Sequence, residues 1–254
     1  MKNIKYFLLV IIIMSSCNKE EFFSGPNFFQ DNFETYTSLN DLLIENDQLW
    51  SFTQLTRDEN NIIIDTLTFH LGNKSLKFKA KKTTNGDVSK CSIAKQNMAF
   101  WNRETVRITA WYYIEGTESL EWLFLMDLQE QTAVGAGPGM RLALVNNQLR
   151  VEHKFFEDDI IQPAGLEIDF PRNKWVELIW EVKLSTKNNG TVKLWQNGQL
   201  IIDTKNNRTL PKDLLYFQQG TKGMYSSIEV GITANSNDND LTMWVDDIKF
   251  EKTE

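Results

Sequence analysis

The sequence predicts an all-β protein built as an antiparallel β-sandwich, and three observations support this prediction. Apolar and polar residues alternate along many short stretches, as they do in strands that bury one face. Glycine or asparagine separates these stretches, where hairpin turns are expected. The chain of 254 residues also contains 16 Phe and 8 Trp, and aromatic residues favour strands. Many short strands joined by such turns are typical of a sandwich or a barrel.

The composition excludes several classes of protein. Hydrophobic residues make up 41% of the chain and charged residues 24%, so it resembles a globular domain rather than a disordered one. Two cysteines are too few for a disulfide scaffold. The formal net charge of −7 argues against nucleic acid as a partner, because binding to phosphates requires a basic face.

The N-terminus predicts export. A positively charged start precedes the apolar run 6–14, which is too short to span a bilayer and matches the hydrophobic region of a signal peptide. Two serines then lead to Cys17, and this ending resembles a bacterial lipobox, in which cleavage precedes the cysteine and the thiol is acylated. We therefore expect a signal peptide over 1–16, lipidation of Cys17 and a tether over 17–30. An ordinary secretory peptide is the alternative.

The residues after the cysteine suggest a location. Residues 18–21, NKEE, resemble the signal by which Bacteroidota export lipoproteins to the outer face of the outer membrane. A charged, solvated tether is the alternative. The expectation is an outer membrane lipoprotein, exposed at the cell surface, whose membrane contact is its lipid anchor. A single domain over 31–254 follows the tether.

The first half of this domain contains well-marked strands. Residues 75–83 alternate apolar side chains with lysine, which indicates a half-buried strand. Residues 105–116 are rich in β-branched and aromatic side chains and stop at glycine. Residues 120–129 are almost continuously apolar, as in a central strand buried on both faces. Cys91 lies in another alternating stretch and is expected to be a buried structural residue.

The second half consists of hairpins and closing strands. Segments 140–155 and 175–204 contain alternating stretches separated by Asn or Gly, which predicts hairpins. The closing strands lie within 228–252. Short helices fit only near 36–48 and 210–216.

Several stretches resemble known jelly rolls. DNFETY over 31–36, LGNKSLKF over 71–78 and WVDDIKF over 244–250 are similar to the opening and closing strands of concanavalin A-like lectins and glucanases. Segment 175–225 resembles the heparin-lyase-like polysaccharide lyases of this fold, which share a Trp at the start of one strand, a G-x-V-x-W-x-N-G hairpin and a later Gly-x-Tyr. The resemblance covers most of 31–254 and implies a jelly roll, but a fold does not determine a function.

The resemblance implies candidates for β-elimination of a uronic-acid polymer. Such a lyase needs a base, commonly His or Tyr, and a group that neutralises the uronate carboxylate. The family's Gln-x-His unit is incomplete here, because Gln129 ends the matching strand without a histidine. Tyr225 matches the catalytic tyrosine, and a half-buried strand aromatic is the alternative reading of it. The further candidates for contact with an acidic sugar are Arg103, Arg107, Gln218 and Gln219.

Polysaccharide binding without catalysis requires less. Aromatic faces and polar tips suffice, and Trp122 and Arg141 join the candidates above for such a surface. Because the Gln-x-His unit is incomplete, the sequence favours a polysaccharide-binding lipoprotein. The alternatives are a divergent lyase that uses Tyr225 as its base or acid, and a structural envelope lipoprotein.

A structural calcium ion is also implied by the jelly-roll resemblance. In many such folds an N-terminal Glu and an Asp of the closing strand bind Ca²⁺ through hard oxygen ligands. Glu34 and either Asp246 or Asp247 match these positions. The alternative is that the Asp pair caps an exposed strand end. No other cofactor is expected.

Overall fold

Two antiparallel sheets form the protein. The computed structural model describes residues 25–43, 49–129, 139–154, 156–211 and 224–254. One continuous apolar core, with contributions from both sheets, lies between them. The predicted all-β sandwich is confirmed.

The larger sheet has eight strands, and its long closing strand holds it together. β16 (Leu241–Lys252) pairs with β7 along one side, and on its other side with β4 and then with β1. The other strands of this sheet are β1 (Phe28–Asp31), β3 (Asn61–Asp65), β4 (Ser75–Ala80), β7 (Thr105–Ile114), β11 (Trp175–Lys183), β12 (Gly190–Gln196) and β13 (Gln199–Asn207).

The smaller sheet has six strands in the spatial order β10-β9-β8-β15-β5-β2. These are β2 (Phe52–Leu55), β5 (Ser89–Lys95), β8 (Trp122–Gln129), β9 (Gly139–Val145), β10 (Gln148–Lys154) and β15 (Ser227–Asn235). Two further strands, β6 (Phe100–Trp101) and β14 (Met224–Tyr225), pair with each other and form a separate two-stranded sheet.

Alternation of side chains decides what each sheet buries. In β11, Val176, Leu178 and Trp180 face the core, and the residues between them are partly exposed. In β8 every residue after Trp122 is buried, which confirms the prediction of a central strand covered on both faces. Cys91 is also fully buried, as expected.

A bulge in β15 depends on glycine. Gly231 has φ of +113°, and a Cβ atom there would lie 2.6 Å from the ring of Phe78. A residue with a side chain would be strained and would also collide with the core. The register to β8 shifts between Val230 and Ala234, and within this segment Thr233 Oγ1 donates a hydrogen bond of 2.8 Å to Asp127.

The sheet begins earlier than the sequence suggested. β1 starts at Phe28, inside the predicted tether, because Phe29 packs on Phe250 at 5.7 Å and on Trp50 at 5.2 Å between ring centroids. A short helix was expected near 36–48, and the structure contains α1 (Leu39–Leu42) there. Residues 44–48 lie outside the described part. Most of 210–216 also lies outside it. No helix of the described residues is long and apolar enough to cross a membrane.

Candidate functional site

The site lies on the face of the six-stranded sheet that is turned away from the core, which we call the polar face. The register between neighbouring strands places the side chains of this face in rows that run across the sheet. The first row is Lys154, Gly139, Gln129 and Ser227, and the second is Glu152, Arg141, Asp127 and Glu229. Because neighbouring strands are about 4.8 Å apart, the side chains of one row lie close together.

The first row contains two buried polar side chains on either side of a glycine. Lys154 is 6% exposed and Gln129 is 7% exposed, and Gly139 stands between them without a side chain. A Cβ atom on Gly139 would lie 2.4 Å from the carbonyl oxygen of Leu128, so glycine is required there. Burial lowers the pKa of Lys154, which favours its neutral amine. Among the described residues, Gln129 Oε1 is buried without a hydrogen-bond partner.

The second row contains one guanidinium group and three carboxyl groups. Burial, with the nearby charge of Asp127, raises the pKa of Glu229 to about 7. Ser92 Oγ donates a hydrogen bond to Glu229 Oε1. Arg141 Nη2 donates to Glu152 Oε1 at 3.1 Å. The row therefore combines a fixed guanidinium group with a carboxyl group that can hold a proton near neutral pH.

An aromatic platform, Trp122 and Phe124, continues the face beyond these rows. The two rings stack with centroids 5.7 Å apart, and Trp122 is 37% exposed. The guanidinium of Arg150 lies 5.4 Å from the Trp122 ring, and that of Arg141 lies 4.2 Å from the Phe124 ring. Aromatic rings can pack on the apolar faces of acidic sugars, and the neighbouring cations can bind the sugar carboxylates.

Three of the predicted sugar-binding residues share this face, namely Trp122, Gln129 and Arg141. Arg107 does not, because it lies in the eight-stranded sheet, where its Nη2 is 2.5 Å from Glu181 Oε2. Arg103 is exposed in the turn between β6 and β7, with φ of +83°. Gln218, Gln219 and Cys17 lie outside the described residues.

Tyr225, the predicted catalytic residue, lies in the apolar core. Its side chain is fully buried, and its hydroxyl donates a hydrogen bond of 2.7 Å to the carbonyl oxygen of Thr209. A general base must reach the proton that it removes. This position therefore fits a structural role for Tyr225, which was the alternative reading of the sequence.

Lys154 and Glu229 are site residues that the sequence did not reveal. The sequence contains part of the information needed to place Lys154, because the segment QLRVEHK after the Asn146-Asn147 turn alternates polar and apolar residues. Counting back across that turn pairs Lys154 with Gly139. Glu229 stands in a strand whose residues are all buried, so alternation alone could not separate it from the core.

The residues expected to bind calcium have other partners. Glu34 Oε1 accepts hydrogen bonds from the backbone N–H groups of Asn73 and Lys74 at 2.7 and 2.8 Å. The Lys74 ammonium donates to the carbonyl oxygens of Glu34 and Tyr36, at 2.8 and 2.7 Å. The Lys74 ammonium thus occupies two backbone carbonyl oxygens beside the Glu34 carboxylate.

The Asp pair of the closing strand is similarly engaged. Asp246 accepts hydrogen bonds from the N–H groups of His70 and Asp247, at 2.9 and 2.8 Å, and Asp247 Oδ2 lies 2.7 Å from His70 Nδ1. In the described ranges, no three His, Cys, Asp or Glu side chains are grouped as metal ligands. Structural calcium stays a prediction, and the local residues fit the Lys74 ammonium better than a metal ion.

The family of the chain follows from its sequence match. The sequence model of the family described as polysaccharide lyase matches residues 44–249. Because this match spans most of the chain, the protein belongs to that polysaccharide lyase family. No curated protein sequence matches the chain significantly.

Solved structures with the same fold agree with this assignment. An endo-beta-1,4-glucuronan lyase from the fungus Trichoderma reesei has a TM-score of 0.65 at 13% identity, over 91% of this chain and 96% of that chain. The cellulose induced protein Cip1 has a TM-score of 0.63 at 16% identity, over 89% and 97%. The alginate lyase Aly36B has a TM-score of 0.60 at 9% identity, over 91% and 99%. At these identities the likeness shows the fold, and it confirms the resemblance to jelly-roll lyases.

Glu229 should make stability depend on pH. Its carboxyl group has an ordinary pKa of 4.5 and a pKa of about 7 in the folded protein, so between these values the folded state binds the extra proton. The free energy of unfolding should then fall as pH rises, by at most about 1.4 kcal/mol per pH unit. Urea unfolding from pH 4.5 to 8 should show this slope in the wild type and a flatter one in Glu229→Gln. The exposed Glu59→Gln should retain the wild-type slope, and equal slopes for all three proteins would contradict the assignment.

Lys74 should stabilise the turn that was expected to bind calcium. Lys74→Met leaves two carbonyl oxygens without their donor and should lower the free energy of unfolding by about 1–3 kcal/mol. Thermal unfolding of the wild type should not change with EDTA. Lys79→Met, which alters an exposed lysine of β4, is the control. A lower Tm in EDTA that Ca²⁺ restores would instead support the calcium prediction.

Proposed function

We propose that this protein is a lyase that cleaves a uronic-acid polysaccharide by β-elimination on the polar face. The observation that carries the proposal is the first row, in which the buried Lys154 and Gln129 flank the side-chain-free position of Gly139. In this proposal the Lys154 amine acts as the base, and the Gln129 amide lies on the other side of the glycine as a polar contact for the sugar. The platform around Trp122 supports the entry of a chain of sugars from the exposed end of the face.

Lys154 is the base in this proposal. Its neutral amine takes the proton from C5 of the uronate, and the electrons of that C–H bond form the C4=C5 double bond. The C4–O4 bond breaks, and its electrons leave with the oxygen. A lysine with an ordinary pKa is protonated at neutral pH, and burial favours the neutral form that the step requires.

Arg141, Gln129 and Glu229 supply the remaining requirements. Removal of the C5 proton places negative charge on the neighbouring carboxylate, which the Arg141 guanidinium and the Gln129 amide can stabilise. Protonated Glu229 can give its proton to the leaving O4, since its pKa lies near 7. The base stands on β10 and the acid on β15, with β9 and β8 between them.

The names of two relatives support a uronic-acid polymer as the substrate. One relative is a glucuronan lyase and another is an alginate lyase. The side chains also favour catalysis over binding alone, because a binding module has no need of a buried amine and a buried carboxyl group with shifted pKa values.

The test is the ultraviolet absorbance of the new double bond during incubation with a panel of uronic-acid polysaccharides. We expect absorbance to rise with at least one polymer, and Lys154→Met to lower kcat/KM by about 100-fold or more. Lys183→Met, at the exposed end of β11 in the other sheet, should retain the activity. Tyr225→Phe should also retain it, at a stability cost of about 1 kcal/mol.

Other results would redirect the proposal. Loss of activity in a folded Tyr225→Phe protein would restore Tyr225 as the base or acid. A flat absorbance trace combined with retardation in polysaccharide gels would favour non-catalytic binding. A flat trace without retardation would favour a structural envelope protein.

We also propose that Cys17 is acylated and anchors the domain at the outer membrane, facing outward. The support is the sequence of residues 1–21, which lie outside the described residues. Labelling cells with an alkyne fatty acid should tag the wild type and not Cys17→Ser. External protease should remove the tagged protein from intact cells. Equal labelling of both proteins would contradict the anchor, and protection from protease would contradict surface exposure.

A further inference from the structure

A second concave surface lies on the outer face of the eight-stranded sheet, which is the opposite side of the sandwich from the polar face. This outer groove has a volume of about 650 Å³, which is typical of sites for small organic ligands. Its floor includes Arg107 and Trp111 of β7, and its wall includes Gln30 and Asn32 at the end of β1. The proposed lyase site uses none of these residues.

The indole of Trp111 is held in a fixed orientation. The His70 ring stacks on it with centroids 3.6 Å apart and an interplanar angle of 13°. His70 is itself fixed by Asp247 Oδ2, which lies 2.7 Å from its Nδ1 atom. Trp111 nevertheless lines the groove and is only half-buried. A ring that is already immobilised loses little conformational entropy when a ligand packs against it.

A strained bulge produces this arrangement. The register between β16 and β7 shifts between Asp246 and Lys249, and Asp247 adopts φ of +48°. The buried Asp246 stabilises the bulge by accepting backbone hydrogen bonds from His70 and Asp247. Bulges commonly redirect a side chain at a functional site, and left-handed backbone at a residue other than glycine has an energetic cost. Here the bulge directs Asp247 to His70 and to the groove.

Acidic side chains outnumber basic ones along the outer groove, which is lined by Asp31, Asp247 and Glu251 and by Arg107 and Lys249. Arg107 pairs with Glu181 at 2.5 Å, and Lys249 pairs with Glu251 at 2.7 Å. The groove therefore has more carboxylates than cations, and this excess of negative charge disfavours an acidic polymer. What it does offer is one aromatic ring and the exposed amides of Gln30 and Asn32. Aromatic rings bind the C–H faces of pyranoses, and amides bind hydroxyl groups.

We infer that the outer groove is a second carbohydrate site, and that it binds an uncharged oligosaccharide. The apolar core separates it from the polar face, so both sites can be occupied at once. A protein with both sites can hold a neutral polysaccharide on one side and act on an acidic one on the other.

Calorimetric titration of the whole protein with neutral hexasaccharides of glucose, xylose and mannose tests this inference. We expect at least one to bind, Trp111→Ala to weaken binding about tenfold, and Gln30→Ala to weaken it about threefold. Circular dichroism checks that Trp111→Ala is folded, and Gln30→Ala changes an exposed side chain and so tests the site without that risk. Trp122→Ala, the matched tryptophan of the polar face, should leave this binding unchanged.

Two results would overturn the inference. One is the absence of heat with all three hexasaccharides at millimolar concentration. The other is binding that Trp122→Ala weakens and that Trp111→Ala and Gln30→Ala do not, which would assign the neutral sugar to the polar face. Neither result depends on lyase activity, so the two proposals can fail separately.

Discussion

Charges held out of water on the polar face must compensate one another, and this constraint determines the character of the six-stranded sheet. Arg141 pairs with Glu152 at 2.9 Å, and the neighbouring Asp127 and Glu229 accept hydrogen bonds from the hydroxyl groups of Thr233 and Ser92. Removing one member would leave its neighbours as uncompensated buried charges, which costs more than a surface ion pair contributes. The same low polarity shifts the pKa of Lys154 downward and that of Glu229 upward. The row is therefore both a requirement for the fold and the origin of the reactivity that we propose.

The two faces of the sandwich use aromatic rings differently. On the polar face, Trp122 and Phe124 stack beside guanidinium groups that remain close to the rings. On the outer face, Trp111 stacks with a histidine, and the nearby cations are paired with carboxylates. The polar-face cations are also paired, Arg141 with Glu152 at 2.9 Å and Arg150 with Asp159 at 3.3 Å. The outer groove differs in its excess of carboxylates, because Asp31 and Asp247 line it as well.

Local patterns predicted the strands well, because alternation is a property of consecutive residues. Trp122, Gln129 and Arg141 share one face of the sheet, and their role in binding sugar stays a prediction. The burial of Tyr225 could not be predicted from local alternation. It depends on the pairing of β14 with β6 and on the hydrogen bond to Thr209, and both partners are distant from Tyr225 in the sequence. Glu34 and Lys74 meet across 40 residues of sequence, so no local motif could show that the Lys74 ammonium binds the carbonyl oxygen of Glu34.

The pairing of β1 with β16 also has a mechanical consequence. β1 has four residues, and its first pair joins Phe28 to Glu251 near the end of the chain. A pulling force applied to the residues before β1 would break the β1–β16 residue pairs one after another, starting at Phe28. It would not load all of these pairs together, as a shearing force along the strands would. Phe29, wedged between Phe250 and Trp50, is the first strong resistance that such a force would meet. Beyond that ring, the sheets would bear the load through the long β16, which is paired on both sides.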